Sequence, residues 1–274
     1  DSFSIFLGSE TELVKKAFEE QLKKRNICHH QNARVKEVTQ DEVICEDGRK
    51  FSYSPGVVLW ATGAQPHPLH DVLRKRGLGH SEKGWINVGP TLQSTTHSTV
   101  FAAGDCAHIE QDEPSPPKAG VYAVRAGPTL QNNILAVLHG KDLEIYRPQK
   151  DFLKLVGCGD DTALGLRWGL PMYGEWVWDL KVKIDGMFMD LFLPSLLPDL
   201  SVSSDMEEPS QYDAVVTLPS APDSEESAAK SLTEEGKGDF GLCWAIIRRM
   251  MKEEEYKEKV CALWKEKLEE KYQK

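Results

Sequence analysis

The chain has 274 residues, 28% of them charged and 40% hydrophobic, with a formal net charge of −10. That length holds one or two domains with a sizeable core, and the acidic balance gives nucleic-acid binding no support. Six cysteines, at positions 28, 45, 106, 158, 243 and 261, show no paired spacing and no Cys-x-x-Cys, the usage of an intracellular protein with reduced thiols.

In chain order, residues 3–8 read as an apolar strand leading into a helix over 9–25, with Ser9 as N-cap and Glu12 as its capping-box partner. An acid at the end of such a strand can accept from ribose hydroxyls, but Glu10 and Glu12 suit a solvated helix start better. Cys28, His29 and His30 have no second ligand pair at zinc spacing, so no metal site is predicted. Val43 to Cys45, the turn Glu46-Asp47-Gly48 and the run 51–53 spell a hairpin.

Residues 57–63 form a second apolar strand that ends on Ala61, Thr62 and Gly63. Residues 84–88 form another, followed by a Thr/Ser-rich segment over 91–99. Residues 100–103 are a short apolar run of the kind buried in a parallel sheet. It ends on Gly104, and Asp105 follows at the carboxyl end, where open α/β sheets bind ligands. An ionised carboxylate there only accepts, which suits a row of sugar or ribityl hydroxyls. A plain strand-ending turn gives the same Gly-Asp letters.

Pro116 and Pro117 open a helix, and the free N–H groups at such a helix start form an anion site. The alternative reading is an ordinary amphipathic helix that packs Val121, Val124 and Leu130 into a core, and the two readings are compatible. Residues 201–239 carry ten acids against Lys230 and Lys237, net −8 of the overall −10, and are rich in serine and proline. This stretch reads as a disordered acidic linker. One amphipathic helix follows over about 241–272, with Trp244, Ile247, Met251, Val260, Leu263, Trp264 and Leu268 on one face. Packing on the body or a partner is the favoured role; mixed charges and Glu253 to Glu255 argue against a membrane-surface helix. The apolar stretch 187–197 is too short to span a membrane.

The ordered set of Ala-Thr-Gly at 61–63, Gly-Trp-Ile-x-Val at 84–88 and Val-Phe-Ala-Ala-Gly-Asp at 100–105 resembles the pyridine-nucleotide FAD/NAD(P) oxidoreductases, which include type II NADH dehydrogenases. Together with segments at 146–189, residues 1–195 resemble most nearly the flavoprotein module fused to selenide, water dikinase. The resemblance implies an α/β fold: a partial two-dinucleotide Rossmann-like fold, a small antiparallel α+β C-terminal cap and a terminal helix. It implies residues 1–60 as the C-terminal half of an NAD(P)-binding domain and 61–140 as a segment of the FAD-binding domain. Residues 141–200 are then the cap, 201–239 the linker and 240–274 the helix. It places FAD beside Ala61, Thr62, Gly63, Gly104 and Asp105, with Asp105 on the ribityl chain. Lys118, Ala119 and Gly120 fall at the flavin pyrimidine edge.

The one Gly-x-Gly-x-x-Gly run in the chain, at 236–241, lies at the end of the acidic stretch and follows no apolar strand, so nothing visible holds the ADP half of either cofactor. The expected protein is therefore the C-terminal part of a flavoprotein that uses NAD(P)H, a missing N-terminal half as partner and a small-molecule electron acceptor. The helix after the flavin strand carries Gly120, Val124 and Arg125 where type II dehydrogenases usually have glutamines, so the acceptor stays open. The alternatives are a cofactor-free scaffold and a flavoprotein partner of selenophosphate synthesis.

Overall fold

In the computed structural model, residues 10–111, 114–190, 219–233 and 239–273 are described. They fall into two compact units, Tyr53–Phe152 and the described residues on either side of it. The fold is α/β, consistent with a partial Rossmann-like fold, and it includes a small antiparallel sheet toward the C-terminus.

Helix α1 (Glu12–Lys24) buries Leu13, Val14 and Ala17 on one face. Its cap is Thr11, whose hydroxyl accepts from the Val14 N–H at 3.4 Å and donates to the Gly169 carbonyl at 2.6 Å. Ser9, the expected cap, and the strand expected over 3–8 lie outside the described residues. Strands β1 (Val35–Val38), β2 (Glu42–Cys45) and β3 (Lys50–Ser52) form an antiparallel sheet in that order. The Asp47-Gly48 turn joins β2 to β3 as expected, with Gly48 at φ +84°.

The Tyr53–Phe152 unit departs from expectation in three places. Residues 57–63 belong to no strand, and Val57, Leu59 and Trp60 are 82%, 87% and 61% exposed. An apolar run needs a neighbouring strand to become one, and the described residues supply none. Helix α2 (Leu69–Lys75) follows. Strand β4 (Ile86–Val88) pairs in parallel with β5 (Ala107–Ile109), not with residues 100–103. Here the Ser/Thr-rich segment decides. Ser94 accepts from the Thr96 N–H, Gln93 donates to the Ser98 carbonyl, and the chain folds back on itself. The backbone at 100–102 then bonds to residues 92–94, with one antiparallel bridge between Gln93 and Phe101.

Helix α3 (Gly120–His139) starts later than the prolines suggested, because Ala119 is extended at φ −143° and Pro117 disfavours helix at residue 116. Gly140, left-handed at φ +65°, ends it. Asn133 is fully buried on this helix. Its amide donates to the Thr91 and Glu144 carbonyls, both at 2.8 Å, and accepts from the Glu144 N–H at 2.7 Å. Asn133→Leu strands these backbone groups and is expected to destabilise the unit by about 2–4 kcal/mol. Urea unfolding checks this; an unchanged midpoint would contradict it.

Beyond residue 152, β6 (Lys154–Gly157), β7 (Ala163–Arg167) and β8 (Leu170–Gly174) form an antiparallel sheet in chain order. Arg25, at the C-cap of α1, ties that helix to the sheet. Its Nη2 meets both Asp160 oxygens at 2.8 and 2.6 Å and Thr162 Oγ1 at 3.0 Å, while Nε donates to the Cys158 carbonyl. The hydrogen bond from Arg25, then that from Thr162, holds the Asp160 carboxyl below its ordinary value. A carboxyl lowered in the folded state stabilises fully above its unfolded value of ~3.9 and loses that contribution as pH falls through the folded value. The melting temperatures of wild type and Asp160→Asn are therefore expected to differ at pH 6 and converge toward pH 3. A pH-independent difference would contradict the ion pair.

Four helices complete this unit: α4 (Glu175–Asp190), α5 (Glu225–Thr233), α6 (Phe240–Lys252) and α7 (Glu254–Gln273). Two expectations change. Within the stretch read as a disordered linker, α5 is ordered because Ala228, Ala229 and Leu232 bury completely or nearly so against α6 and α7. A three-residue apolar face is outweighed in a composition count by the surrounding acids. The rest of the linker, 201–218 and 234–238, lies outside the described residues, as does 191–197 of the apolar stretch. The single terminal helix is two, broken at Glu253, whose backbone is extended (φ −117°, ψ 100°). Among the described residues no helix is long and apolar enough to cross a membrane.

Candidate functional site at the start of helix α3

The turn Gly104–Cys106 sits between residue 103 and β5. Gly104 has φ +71°, and a Cβ there would lie 2.8 Å from the Ala123 Cβ. Only glycine allows both the left-handed backbone and the close approach of α3. Asp105 is exposed on this turn, and the Cys106 thiol donates to the Ala103 carbonyl at 3.2 Å, the contact of a packed residue.

Lys118 turns inward. Its ammonium donates to the Ala107 carbonyl and lies 4.7 Å from the centre of the Trp85 ring. Burial lowers its ammonium from the ordinary lysine value, and the Asp105 charge opposes that shift. The lysine therefore braces β5 beside the aspartate. A cavity of about 20 Å³, room for roughly one water, is lined by Gly104, Asp105 and Ala119 among the residues singled out in the sequence. Tyr122 and Tyr146 also line it, and the Tyr146 hydroxyl donates to the Tyr122 carbonyl at 3.2 Å. Burial raises the Tyr146 phenol above its ordinary value.

Gly120 opens α3 and is exposed, with nothing within 4 Å of a Cβ built there. Ala61, Thr62 and Gly63 are exposed and do not line the cavity. The sequence thus pointed to one end of α3 but missed the two tyrosines. Tyr122 had a signal, standing two residues into the helix; Tyr146 lies in a loop and had none.

Gly104, an acceptor-only carboxylate, and the free N–H groups of a 20-residue helix now stand together. Such a place takes hydroxyls on one side and negative charge on the other. Residues 2–127 match the family model described as pyridine nucleotide-disulphide oxidoreductase. The chain is also 30% identical over 121 residues to a probable NADH dehydrogenase of Dictyostelium discoideum, covering 41% of this chain and 26% of that protein. It is 28% identical over 136 residues to a type II NADH:quinone oxidoreductase of Haemophilus influenzae, covering 49% and 29%. The chain thus spans less than a third of the length of these relatives. These matches support the pyridine nucleotide-disulphide oxidoreductase family; they do not support the dikinase-fused module.

Among solved structures, a ferredoxin reductase from Rhodopseudomonas palustris aligns with a TM-score of 0.44 at 20% identity, covering 57% of this chain and 37% of that one. An NAD-dependent persulfide reductase from A. fulgidus aligns with a TM-score of 0.42 at 20% identity, covering 54% and 26%.

Proposed function

We propose that the chain supplies the flavin-side part of an FAD-dependent oxidoreductase that passes electrons from NAD(P)H through FAD to a small-molecule acceptor. The observation that carries this reading is the placement of Gly104 and Asp105 against the start of α3. The exposed Asp105 carboxylate suits the ribityl hydroxyls, and the helix start at Gly120 suits the pyrimidine edge of the flavin. The residues fit that part of the cofactor. No Gly-x-Gly-x-x-Gly turn follows an apolar strand in this sequence to hold the pyrophosphates, and in this reading an N-terminal half of the same flavoprotein holds the ADP portions.

Bound FAD supplies the hydride-accepting chemistry. Asp105 orients its ribityl chain by accepting hydrogen bonds. The N–H groups at the start of α3 favour the negative charge that reduction brings. Lys118, acting through β5 and beside Asp105, is a positioning residue. Ala61, Thr62 and Gly63 stand exposed, where a turn contacting cofactor and the other half is accessible. The cysteine usage suits an intracellular compartment.

The test is FAD titration, followed by flavin fluorescence, of the polypeptide extended by its upstream coding region. Asp105→Ala is expected to weaken binding about 10–100-fold, the value of charge-assisted hydrogen bonds, without shifting the melting temperature of the flavin-free protein. Equal affinity in both proteins would remove Asp105 from the site. The absence of uptake by either would favour a cofactor-free scaffold.

A further inference from the structure

Helix α3 carries Pro128 in its interior. Proline has no N–H to give the Val124 carbonyl, and its ring crowds that oxygen. Gly127, just before it, is the residue type that a helix restrains least. A Cβ built on Gly127 meets nothing within 4 Å among the described residues, so no neighbour braces the chain there. The helix therefore has two segments, 120–127 and 128–139, joined where helical restraint is weakest. The first segment carries the site: the free N–H groups begin at Gly120, and Ala123 packs on the Gly104 turn.

The loop after the helix, 141–152, grips both segments. Beyond the hinge, buried Asn133 holds the backbone of Glu144 through two hydrogen bonds. Before the hinge, the loop reaches back with Tyr146, a buried residue whose hydroxyl donates to the Tyr122 carbonyl at 3.2 Å. The Tyr146 N–H donates to the Pro90 carbonyl at 2.9 Å, in the turn that the Gly89 N–H closes on the Gln93 carbonyl. Leu92 of that turn is fully buried at φ +62° and lines the same cavity as Asp105 and Ala119. A leucine kept left-handed marks a place that the surrounding structure over-determines. At the end of the loop the Phe152 ring stands edge-on to the Tyr122 ring, 5.5 Å between centres.

We infer that Tyr146 is a positioning residue: its hydroxyl splints the first segment of α3 across the hinge at Gly127 and Pro128, and so fixes where the helix start stands relative to Asp105. The splint itself needs no ligand; its consequence for the cofactor rests on the flavin reading above. The pull of a helix terminus on a charge falls off within one turn. A first segment free to swing at residue 127 would therefore meet the charge of reduced flavin less well than one held at Tyr122.

Hydrogen–deuterium exchange of the chain reads the splint without flavin. Tyr146→Phe keeps the buried ring and removes the hydroxyl. The amides of residues 123–127 are then expected to exchange about 2–10-fold faster than in wild type, the worth of a single hydrogen bond, with those of 132–139 unchanged. Pro128→Ala restores the helix bond at the hinge, and in that background Tyr146→Phe is expected to lose its effect. The flavin consequence is read in the polypeptide extended upstream. There Tyr146→Phe is expected to bind oxidised FAD as wild type does but the reduced form about 2–10-fold more weakly, a midpoint potential about 10–30 mV more negative. Unchanged exchange in Tyr146→Phe, or an equal effect in the Pro128→Ala background, would overturn the splint. Faster exchange with an unchanged potential would overturn its bearing on the flavin. A wild-type extended polypeptide that takes up no FAD would overturn the flavin reading instead, and the exchange result would still decide the splint.

Discussion

Trp264→Ala is expected to destabilise the chain by about 3–5 kcal/mol, the range for emptying a buried tryptophan site. Trp264 is fully buried on α7, in the same core as Trp176 of α4 and the small side chains Ala228 and Ala229 of α5. That core joins all four C-terminal helices to strands β7 and β8. The small residues let the helices approach closely, so little can move to refill the hole. The indole Nε1 atoms of both tryptophans are buried with no hydrogen-bond partner among the described residues, which sharpens the test. Trp264→Phe removes the unpartnered N–H along with some volume, so its cost should be well below that of alanine. Urea unfolding of the three proteins measures both differences. A loss below about 1 kcal/mol for Trp264→Ala would mean that α7 is not part of the folded core.

The second large effect is at Gly104. A Cβ there meets the Ala123 Cβ at 2.8 Å on a backbone held at φ +71°. Left-handed backbone costs a non-glycine residue about 1–2 kcal/mol, and displacing packed atoms typically costs about 1–3 kcal/mol more. Gly104→Ala should therefore cost about 2–5 kcal/mol and push the start of α3 away from the Gly104–Cys106 turn. Because Asp105 and Gly120 lie on the two sides of that contact, the variant should also lose FAD affinity in the extended polypeptide. Ala123→Gly in the Gly104→Ala background relieves the clash but not the backbone cost, so partial recovery is expected. Full stability of the single variant would show that the helix does not sit against the turn.

Much of this architecture was legible in the sequence where local chemistry decides it. Asp47-Gly48 fixes its hairpin through a turn that needs a left-handed residue. Helix α3 follows the prolines, though it starts at Gly120 because Ala119 stays extended. Apolarity misled where the partner is not local. Residues 57–60 and 100–103 both look like buried strands, and neither forms one in these units. The former has no neighbour to pair with among the described residues, and the latter is claimed by its own Ser/Thr-rich turn. In the acidic stretch, composition hid three residues that pack α5 onto the terminal helices.

At the site, Gly104 and Asp105 were readable because glycine and an acid at a strand end carry specific backbone and charge requirements. Tyr146 was not, because its role comes from a loop that returns to α3, where Asn133 holds the backbone of residue 144. The inward turn of Lys118 was equally hidden. Its partner Trp85 is 33 residues away in sequence, and only tertiary packing brings the ring under the ammonium.

The most direct measurement is the visible absorption spectrum of the polypeptide extended upstream, recorded before and during anaerobic addition of NADH or NADPH. The proposed function predicts flavin bands in the purified protein that bleach on addition of the nucleotide and return with an electron acceptor. A colourless protein that takes up no added FAD would contradict it.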